Sequence, residues 1–315
     1  MNYLLLFIAL FTAELVYFRI ANYFNIIDKP NERSSHLKIT LRGGGIVFYM
    51  GVLIYFVLEG FHYQWFFFGL TLITIVSFFD DIRPQSSKLR LFMHFAAMGL
   101  MFYQWGLYDL PWYYTILALI FCTGIINAYN FMDGINGITG GYSLVVIGSL
   151  WYINTYQVPF VDNDFIYTLV MALLVFNFFN FRTKAKCFAG DVGAISIAFI
   201  ILFLLGLLIV KTSDFSYIIL LVVYGVDTVL TIIHRLMLKE NIFDAHRKHA
   251  YQLLANELKI KHVLVSSLYM LLQATIVIGF FLLESYSYIY LLSVVLVLSI
   301  AYVLFMKKYF RLHGK

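Results

Sequence analysis

Charged residues are scarce in this 315-residue chain. Asp, Glu, Lys and Arg make up 12% of it, and 62% of its residues are hydrophobic. An average soluble domain is about 25% charged. A soluble globular protein of this length has no way to bury so much apolar surface, so the composition excludes that class. It predicts an all-α, polytopic integral membrane protein.

Cysteine is nearly absent. Cys122 and Cys187 are too few and too far apart for a disulfide framework or a zinc site. We interpret Cys122 as packing in an apolar run, and Cys187 as a loop residue for which a free thiol is the alternative. The first apolar stretch lacks a preceding basic residue and a cleavage site, so we do not expect a cleavable signal peptide. Linkers and repeats are also lacking, which predicts one domain over residues 1–315.

Apolar runs of about 20 residues, the length that spans a bilayer, predict about eleven transmembrane helices. They lie near residues 1–20, 44–60, 64–79, 88–106, 111–128, 139–154, 164–181, 192–210, 215–235, 262–283 and 286–306. With the N-terminus outside and the C-terminus cytoplasmic, all of the 22 Lys and Arg except Lys211 fall inside, as the positive-inside rule requires. Topology and anionic lipid then explain the net charge of +5, and no nucleic-acid partner is expected.

The residues that are capable of chemistry lie in a few short polar segments, which this topology places on one side of the membrane. These segments are residues 21–43, 80–90, 127–141, 180–193 and 236–261. The spans between them would gather the five segments at one cytoplasmic face. This layout is typical of an enzyme that handles a charged, soluble substrate at a lipid surface.

Adjacent carboxylates follow one of the apolar runs directly, at Asp80 and Asp81. A helix cap or a position at the lipid–water boundary is the simpler interpretation. The alternative is a Mg²⁺–phosphate site, which needs hard oxygen ligands and a base. Asp191 has the same two interpretations, a helix cap or a metal site. It lies near a predicted helix N-terminus, where an anion is favoured, and is either the cap or a metal ligand.

Around Asp191 lie residues that suit a phosphate-rich ligand. They are Asn180, Arg182, Lys184 and Lys186. Phe188 either stacks on a base or simply packs.

The segment 127–141 combines glycines with amide and carboxyl side chains. A tight hairpin needs only one Asp-Gly or Asn-Gly dipeptide, whereas this segment has two in succession. Glycines permit close backbone approach to a ligand, and Asn and Asp hydrogen-bond a base or a ribose. We therefore predict a binding role for Asn127, Asn130, Asp133 and Asn136.

Histidines and basic residues mark two further segments. His246, Arg247 and His249 offer phosphate donors and an acid or base, with a solvated basic face as the alternative. Arg42 precedes the glycines 43–45, which would let anionic headgroups approach backbone amides. The alternative is that the basic residues of this segment only orient the chain in the membrane.

Four more residues have weaker interpretations. Arg33 and His36 lie upstream in the first polar segment and share the alternatives given for Arg42. Glu14 and Asp227 are acids within predicted spans, where such residues are functional candidates by default. We expect Asp227 to lie just under the site and to orient it, and we have no specific interpretation for Glu14.

Five stretches, in this order, resemble one family. They are RSSHLKITLRGGG, FFDDIRP, NAYNFMDGINGITGG, NFRTKAKCFAGDVGA and AHRKHAYQLL. The chain resembles, over roughly residues 25–255, the polyprenyl-phosphate N-acetylhexosamine-1-phosphate transferases of glycosyltransferase family 4. That family includes the enzymes that initiate O-antigen and teichoic-acid synthesis, and phospho-MurNAc-pentapeptide transferase.

The resemblance implies a Mg²⁺-dependent reaction, with Mn²⁺ as an alternative, at the inner (plasma) membrane. A UDP-N-acetylhexosamine would donate its sugar phosphate to undecaprenyl phosphate within the lipid bilayer, and UMP would leave. The implied catalytic residues are Asp80, Asp81, Asp191 and His246, of which Asp191 and Asp80 would hold the metal. The implied substrate-binding residues are Asn127, Asn130, Asp133, Asn136, Asn180, Phe188, Arg247, His249, Arg42 and Lys184. A homodimer is a further partner that the resemblance leaves open.

The chain departs from the family pattern at three places. Asn136 stands where many relatives have a second Asp, Leu41 replaces a common Pro, and the histidine motif is HRKHAYQ instead of a His-rich run. The histidine motif, together with a basic loop that lacks room for a pentapeptide-binding element, favours the O-antigen or capsule branch. UDP-GlcNAc is the expected donor, with UDP-FucNAc or UDP-QuiNAc as the alternative. A transporter or flippase of lipid-linked sugars is the alternative class, but it should show repeated halves.

Overall fold

The computed structural model describes residues 1–30, 35, 38–242 and 246–309. Arg33 and His36 therefore lie outside the described residues. The described chain is nearly all helical, as expected. Its long helices are α1 (Tyr3–Tyr23), α2 (Ile46–Glu59), α3 (Gln64–Ile82), α4 (Ser87–Gln104), α5 (Trp112–Met132), α6 (Ile138–Tyr156), α7 (Asn163–Asn180), α8 (Gly190–Thr212), α9 (Val222–Met237), α11 (His262–Leu282) and α12 (Ser287–Tyr309). A short helix, α10 (Ala250–Gln252), was not predicted from the sequence.

Each helix predicted from the sequence has a counterpart in the described chain, and the differences lie at the ends. α3 continues through both aspartates to Ile82, and α5 continues to Met132. Hydropathy marks where apolar surface ends, whereas a helix ends where its backbone hydrogen bonds end, so polar final turns were missed. The ninth predicted helix begins as a 3₁₀ segment, Phe215–Leu221, before α9.

Eight helical segments of the described chain are long and apolar enough to cross a membrane, which supports a multi-pass membrane protein. They are α1, α3, α5, α7, α8, α11, Phe215–Met237, which contains α9, and Glu284–Tyr309, which contains α12. α2 is apolar but has only 14 residues. The number of eleven spans and their orientation stay predictions.

Helix α8 is the centre of the fold. Its sequence is apolar on every side, which is typical of a helix that is surrounded by protein, and 89% of its most apolar window is buried. α2, α3, α5 and α6 pack around it. In the corresponding window of α12 only 17% is buried, so α12 presents most of its surface to the surrounding medium. The N-terminal turn of α8 is thus fixed by its neighbours.

A short antiparallel pairing of β1 (Ile27–Asp28) with β2 (Thr40–Leu41) leads the chain towards this turn. Leu41 then pairs with Cys187 in a parallel bridge. The amides of Gly44 and Gly45 donate to the carbonyls of Phe188 and Ala189 at 2.9 and 3.1 Å. The segment that carries Arg42 is therefore attached to the chain that enters α8.

The contact between Gly45 and Gly193 yields a prediction. A Cβ at Gly45 would overlap the Cα of Gly193, so Gly45→Ala must separate α2 from α8. Overpacking of this kind costs about 1–3 kcal/mol. We expect a lower thermal unfolding midpoint in detergent. Gly148→Ala on α6 is the matched control, because a Cβ there meets no atom within 4 Å. Equal midpoints for the two variants would contradict the close packing.

Candidate active site

The carboxylate of Asp81 joins three parts of the chain. It accepts hydrogen bonds from the amides of Asp191 and Val192 at 2.9 and 3.0 Å, and Arg42 Nε lies 2.6 Å from its Oδ1. The side chain is fully buried. Gly190 adopts a φ of +71°, and a Cβ there would lie 2.5 Å from the same carboxylate. Asp81 thus caps α8 with an anion from α3, and its oxygens are already engaged.

Asp80 and Asp191 form a second, more accessible pair of carboxyl groups. They lie within hydrogen-bonding contact of each other, and their side chains are 9% and 16% exposed. Arg90 reaches both of them, with Nη1 at 3.0 Å from Asp80 and Nη2 at 3.8 Å from Asp191. Arg42 Nη2 lies 3.1 Å from the other oxygen of Asp191. Two guanidinium groups therefore offset most of the charge of three carboxylates.

This pair provides a donor set that suits Mg²⁺. Among the described residues, no group of three or more His, Cys, Asp or Glu is arranged to hold a metal ion by itself. Mg²⁺ usually binds to one or two carboxylates and takes its other ligands from water and substrate phosphates. Asp80 and Asp191 meet that requirement because their carboxyl groups are partly exposed, whereas the carboxyl group of Asp81 is fully buried.

Arg90 was missed as a site residue in the sequence. It was interpreted only as one of many inner basic residues, although it lies in the first turns of α4, shortly after FFDDIRP. A basic residue one short loop after two acids is the signal that could have identified it.

Asn180 and Asn136 connect the walls of the site. Asn180 is buried, accepts from the amide of Gly137 at 2.7 Å, and donates to the carbonyl of Cys187 at 2.8 Å. Asn136 is also buried and donates to the carbonyl of Arg182 at 2.8 Å. The two amides thus hold the segments 127–141 and 180–193 together. Their predicted contact with substrate stays a prediction.

The remaining predicted binding residues of these two segments differ in exposure. Asn127 is exposed on α5 and donates to its own helix, to Thr123 O at 2.9 Å, and Asn130 is half-buried one turn on. Lys184 is exposed and Phe188 is half-buried. Cys187, interpreted as a loop thiol, is fully buried, with Sγ 3.6 Å from the carboxyl of buried Glu14.

Asp133 ends α5 and accepts a hydrogen bond from Thr139 Oγ1 at 2.7 Å. Burial raises the pKa of its carboxyl to about 7, and the charge of Asp191 acts in the same direction, whereas Thr139 and Arg42 oppose the shift. Asp133 is thus close enough to Asp191 and Arg42 for their charges to affect its pKa.

The histidine segment lies against the end of α5. Phe131 is 6.2 Å from the ring of His246 and 6.1 Å from that of His249. Tyr251 donates to the carbonyl of Phe131 at 2.8 Å. Burial, and then the charges of His249 and nearby basic residues, lower the pKa of His246 to about 3. His246 is therefore neutral near pH 7 and is a weak base. Arg247 lies between the two histidines in sequence, and part of its side chain is buried.

The arrangement defines a class of enzyme site. Carboxylates that suit a divalent cation lie beside two arginines at the first turn of a buried helix, and the histidine segment lies against the end of α5. These groups can bind a diphosphate and neutralise its oxygens during group transfer.

Comparison with known proteins agrees with this class. The model of the family described as "Glycosyl transferase family 4" matches residues 63–210. A Bacillus subtilis protein named "Probable undecaprenyl-phosphate N-acetylglucosaminyl 1-phosphate transferase" is 28% identical over 261 residues, which are 74% of this chain and 70% of that protein. The Escherichia coli K12 protein named "Undecaprenyl-phosphate alpha-N-acetylglucosaminyl 1-phosphate transferase" is 25% identical over 220 residues, or 63% of this chain. That match spans 60% of the E. coli protein. These matches support the family that the sequence resembles, glycosyl transferase family 4, over residues 63–210.

The raised pKa of Asp133 predicts a pH dependence of stability. Its carboxyl ionises near 3.8 in the unfolded chain and near 7 in the fold, so its stabilising contribution is full below pH 4 and is lost as pH rises through 7. Asp133→Asn removes this loss. We compare the free energies of unfolding of Asp133→Asn and wild type. From pH 5 to pH 8 their difference should change by about 2–3 kcal/mol in favour of the variant.

Thermal midpoints at the two pH values measure this difference. The exposed Asp109 provides the control, because Asp109→Asn should leave the pH dependence of wild type unchanged. A difference between Asp133→Asn and wild type that is the same at pH 5 and pH 8 would mean that Asp133 ionises normally in the fold.

Proposed function

We propose that this protein transfers N-acetylhexosamine-1-phosphate from a UDP-sugar to undecaprenyl phosphate, with UDP-GlcNAc as the donor. The observation that carries the proposal is the Asp80–Asp191 carboxyl pair with Arg42 and Arg90 on either side of it. The names of the two relatives support the acceptor and the type of transfer. The product would be the first lipid-linked intermediate of a cell-surface glycan.

The reaction exchanges one phosphoanhydride for another. An oxygen of the lipid phosphate attacks the sugar-linked phosphorus of the donor, a new P–O bond forms, and the anhydride bond to the uridine-linked phosphate breaks. UMP leaves with the bonding electron pair. Because the energies of the two anhydrides are similar, catalysis comes mainly from alignment and from neutralisation of the phosphate oxygens.

Two arginines supply fixed positive charge for this step. Arg42 is held by Asp81 and Asp191, and Arg90 by Asp80 and Asp191. Their forked donors match phosphate oxygens, so both can bind the diphosphate without leaving the cluster. Mg²⁺, held by Asp191 and Asp80, would supply further Lewis-acid stabilisation of the phosphates. Asp81 acts indirectly, since it positions Arg42 and the amides that begin α8.

The uridine half of the donor is assigned to the end of α5 and to the segment that precedes α8. Asn127 and Asn130 on α5, with Asp133, offer amide and carboxyl groups to the base and the ribose. Phe188 offers a ring for stacking, and Lys184 a flexible positive charge at the rim. His246, which its low pKa keeps neutral and weakly basic, offers an uncharged ring nitrogen for a hydrogen bond near the phosphates, while Arg247 and His249 contact the diphosphate.

Membrane placement completes the proposal. The site faces the cytoplasmic side of the inner (plasma) membrane. UDP-sugars are made in the cytoplasm, and the lipid acceptor enters from the bilayer. A 6-deoxy donor, UDP-FucNAc or UDP-QuiNAc, is the alternative for the same chemistry, because no described residue contact distinguishes a C6 hydroxyl from a methyl group.

Release of UMP by the purified protein tests the reaction. The assay supplies undecaprenyl phosphate, Mg²⁺ and one of UDP-GlcNAc, UDP-GalNAc, UDP-FucNAc or UDP-QuiNAc, with EDTA in a parallel series. We expect release with UDP-GlcNAc that stops with EDTA and resumes with added Mg²⁺. Release with a deoxy donor alone would change the assigned sugar. No release with any donor, from folded protein, would reject the transferase.

Asp191→Asn makes the assay specific for the site. We expect it to lower kcat at least a thousandfold, because a developing phosphate charge loses its cation ligand, while the thermal midpoint stays near that of wild type. Asp109→Asn, a substitution of an exposed aspartate remote in sequence from the cluster, is the control and should retain full activity. A folded Asp191→Asn protein with normal kcat would remove Asp191 from the mechanism.

A further inference from the structure

Asp227 is a buried carboxylate on α9 that the mechanism above does not use. It is 4% exposed, yet it is surrounded by polar partners. It accepts from Thr231 Oγ1 at 3.2 Å, from the amide of Ala250 at 3.0 Å and from Tyr269 Oη at 2.6 Å. A carboxylate within a membrane-spanning segment is costly. One that is held by several hydrogen bonds is therefore a candidate for a functional role.

The fourth partner of Asp227 is a histidine of the active-site segment. His249 Nδ1 lies 3.3 Å from Asp227 Oδ1. An ionised carboxylate only accepts hydrogen bonds, so this contact is a hydrogen bond only when Nδ1 carries a proton. The carboxylate therefore selects one tautomer of the imidazole and fixes the plane of the ring, as carboxylates do for histidines in metal and hydrolase sites.

The other nitrogen of His249 is left without a partner. Nε2 is buried, and within the described part of the chain no atom forms a hydrogen bond with it. One ring carbon separates Nε2 from Nδ1, so it points away from Asp227. The ring lies 5.0 Å from His246 and 6.1 Å from Phe131. A buried polar atom without a partner is rare in a native protein and calls for an explanation.

The network around Asp227 gathers groups from four helices. Asp227 and Thr231 belong to α9, Ala250 to α10 and Tyr269 to α11, and Thr231 also contacts Tyr302 of α12 at 2.8 Å. Tyr251 of α10 stacks near His249 at 5.9 Å. Such a satisfied network fixes its members rigidly, and so it sets where Nε2 lies relative to the end of α5.

We propose that Asp227 is a positioning residue for the transfer reaction. It holds the proton of His249 on Nδ1 and presents Nε2 to the diphosphate of the bound donor. The lone pair of Nε2 takes a proton from the acceptor phosphate, and the N–H that forms donates to an oxygen of the diphosphate. The inference rests on the proposed function for the role of His249, whereas the tautomer of His249 is independent of that function.

A purely structural clamp is the competing explanation. The bond from the amide of Ala250 to Asp227 would hold the histidine segment on α9 even if the imidazole took no part. The two explanations differ in the tautomer that they require and in whether the effects of substitutions at Asp227 and His249 are coupled.

¹⁵N NMR of imidazole-labelled wild-type protein in detergent at pH 8 tests the tautomer, with His249→Gln used to assign the signal. We expect His249 Nδ1 to be protonated, and to lose that preference in Asp227→Leu. A wild-type His249 whose proton is on Nε2 alone would overturn the proposal. The wild-type spectrum needs neither activity nor a folded Asp227 variant, and it decides the proposal by itself.

A double-mutant cycle of UMP release tests the coupling. Asp227→Asn should lower kcat at least tenfold and change the KM for the donor less than threefold. In the His249→Gln background the same substitution should have less than a twofold effect, since it acts only through His249. Independent, multiplicative losses would overturn the positioning role.

One further variant and the NMR result separate the possible causes of failure. Tyr269→Phe removes one hydrogen bond to Asp227 and keeps the carboxylate, so it should show a smaller loss that also disappears with His249→Gln. It replaces Asp227→Asn in the cycle if that variant unfolds. If wild type releases no UMP with any donor, the proposed function fails while the NMR result still decides the Asp227–His249 pairing.

Discussion

The site depends on the burial of one carboxylate against the beginning of a helix. Asp81 accepts the first amides of α8 and holds Arg42, and Gly190 provides the space for it. Because α8 is enclosed by other helices, its N-terminal turn is a fixed reference. Arg42, Asp191 and, through Arg90, Asp80 take their positions from this turn. An anion at a helix N-terminus is favourable, so structural stability and the placement of reactive groups have the same origin.

The polar residues of the site divide into partly exposed residues and buried residues that hold them in place. Asp80, Asp191 and the two arginines are partly exposed, whereas Asp81, Asn136 and Asn180 are buried and bond to backbone. Asp227 has the same relation to His249 that Asp81 has to Arg42. At both ends of the site, a buried acid orients a group that can contact phosphate.

The sequence predicted much of this, because long apolar runs and short polar segments are strong signals in a membrane protein. It identified the helices and the segments that carry the acids, amides and histidines. It did not separate Asp80 from Asp81, since adjacent residues of one helix face different directions and only packing shows which one is buried. It also missed Arg90, because only the short distances from Arg90 to Asp80 and Asp191 identify it. The bonds of Asn180 and Asn136 depend on contacts between segments that are far apart in sequence.

The most direct test of this account is a cryo-EM structure with Mg²⁺ and UDP-GlcNAc. It should show the diphosphate between Asp191 and the histidine segment, with a cation on the Asp191 carboxylate and the uracil near the end of α5. Asp81 should keep its bonds to the first amides of α8. A nucleotide bound elsewhere, or a diphosphate that contacts neither Asp191 nor Arg42, would contradict the central claim that this helix terminus is the catalytic site.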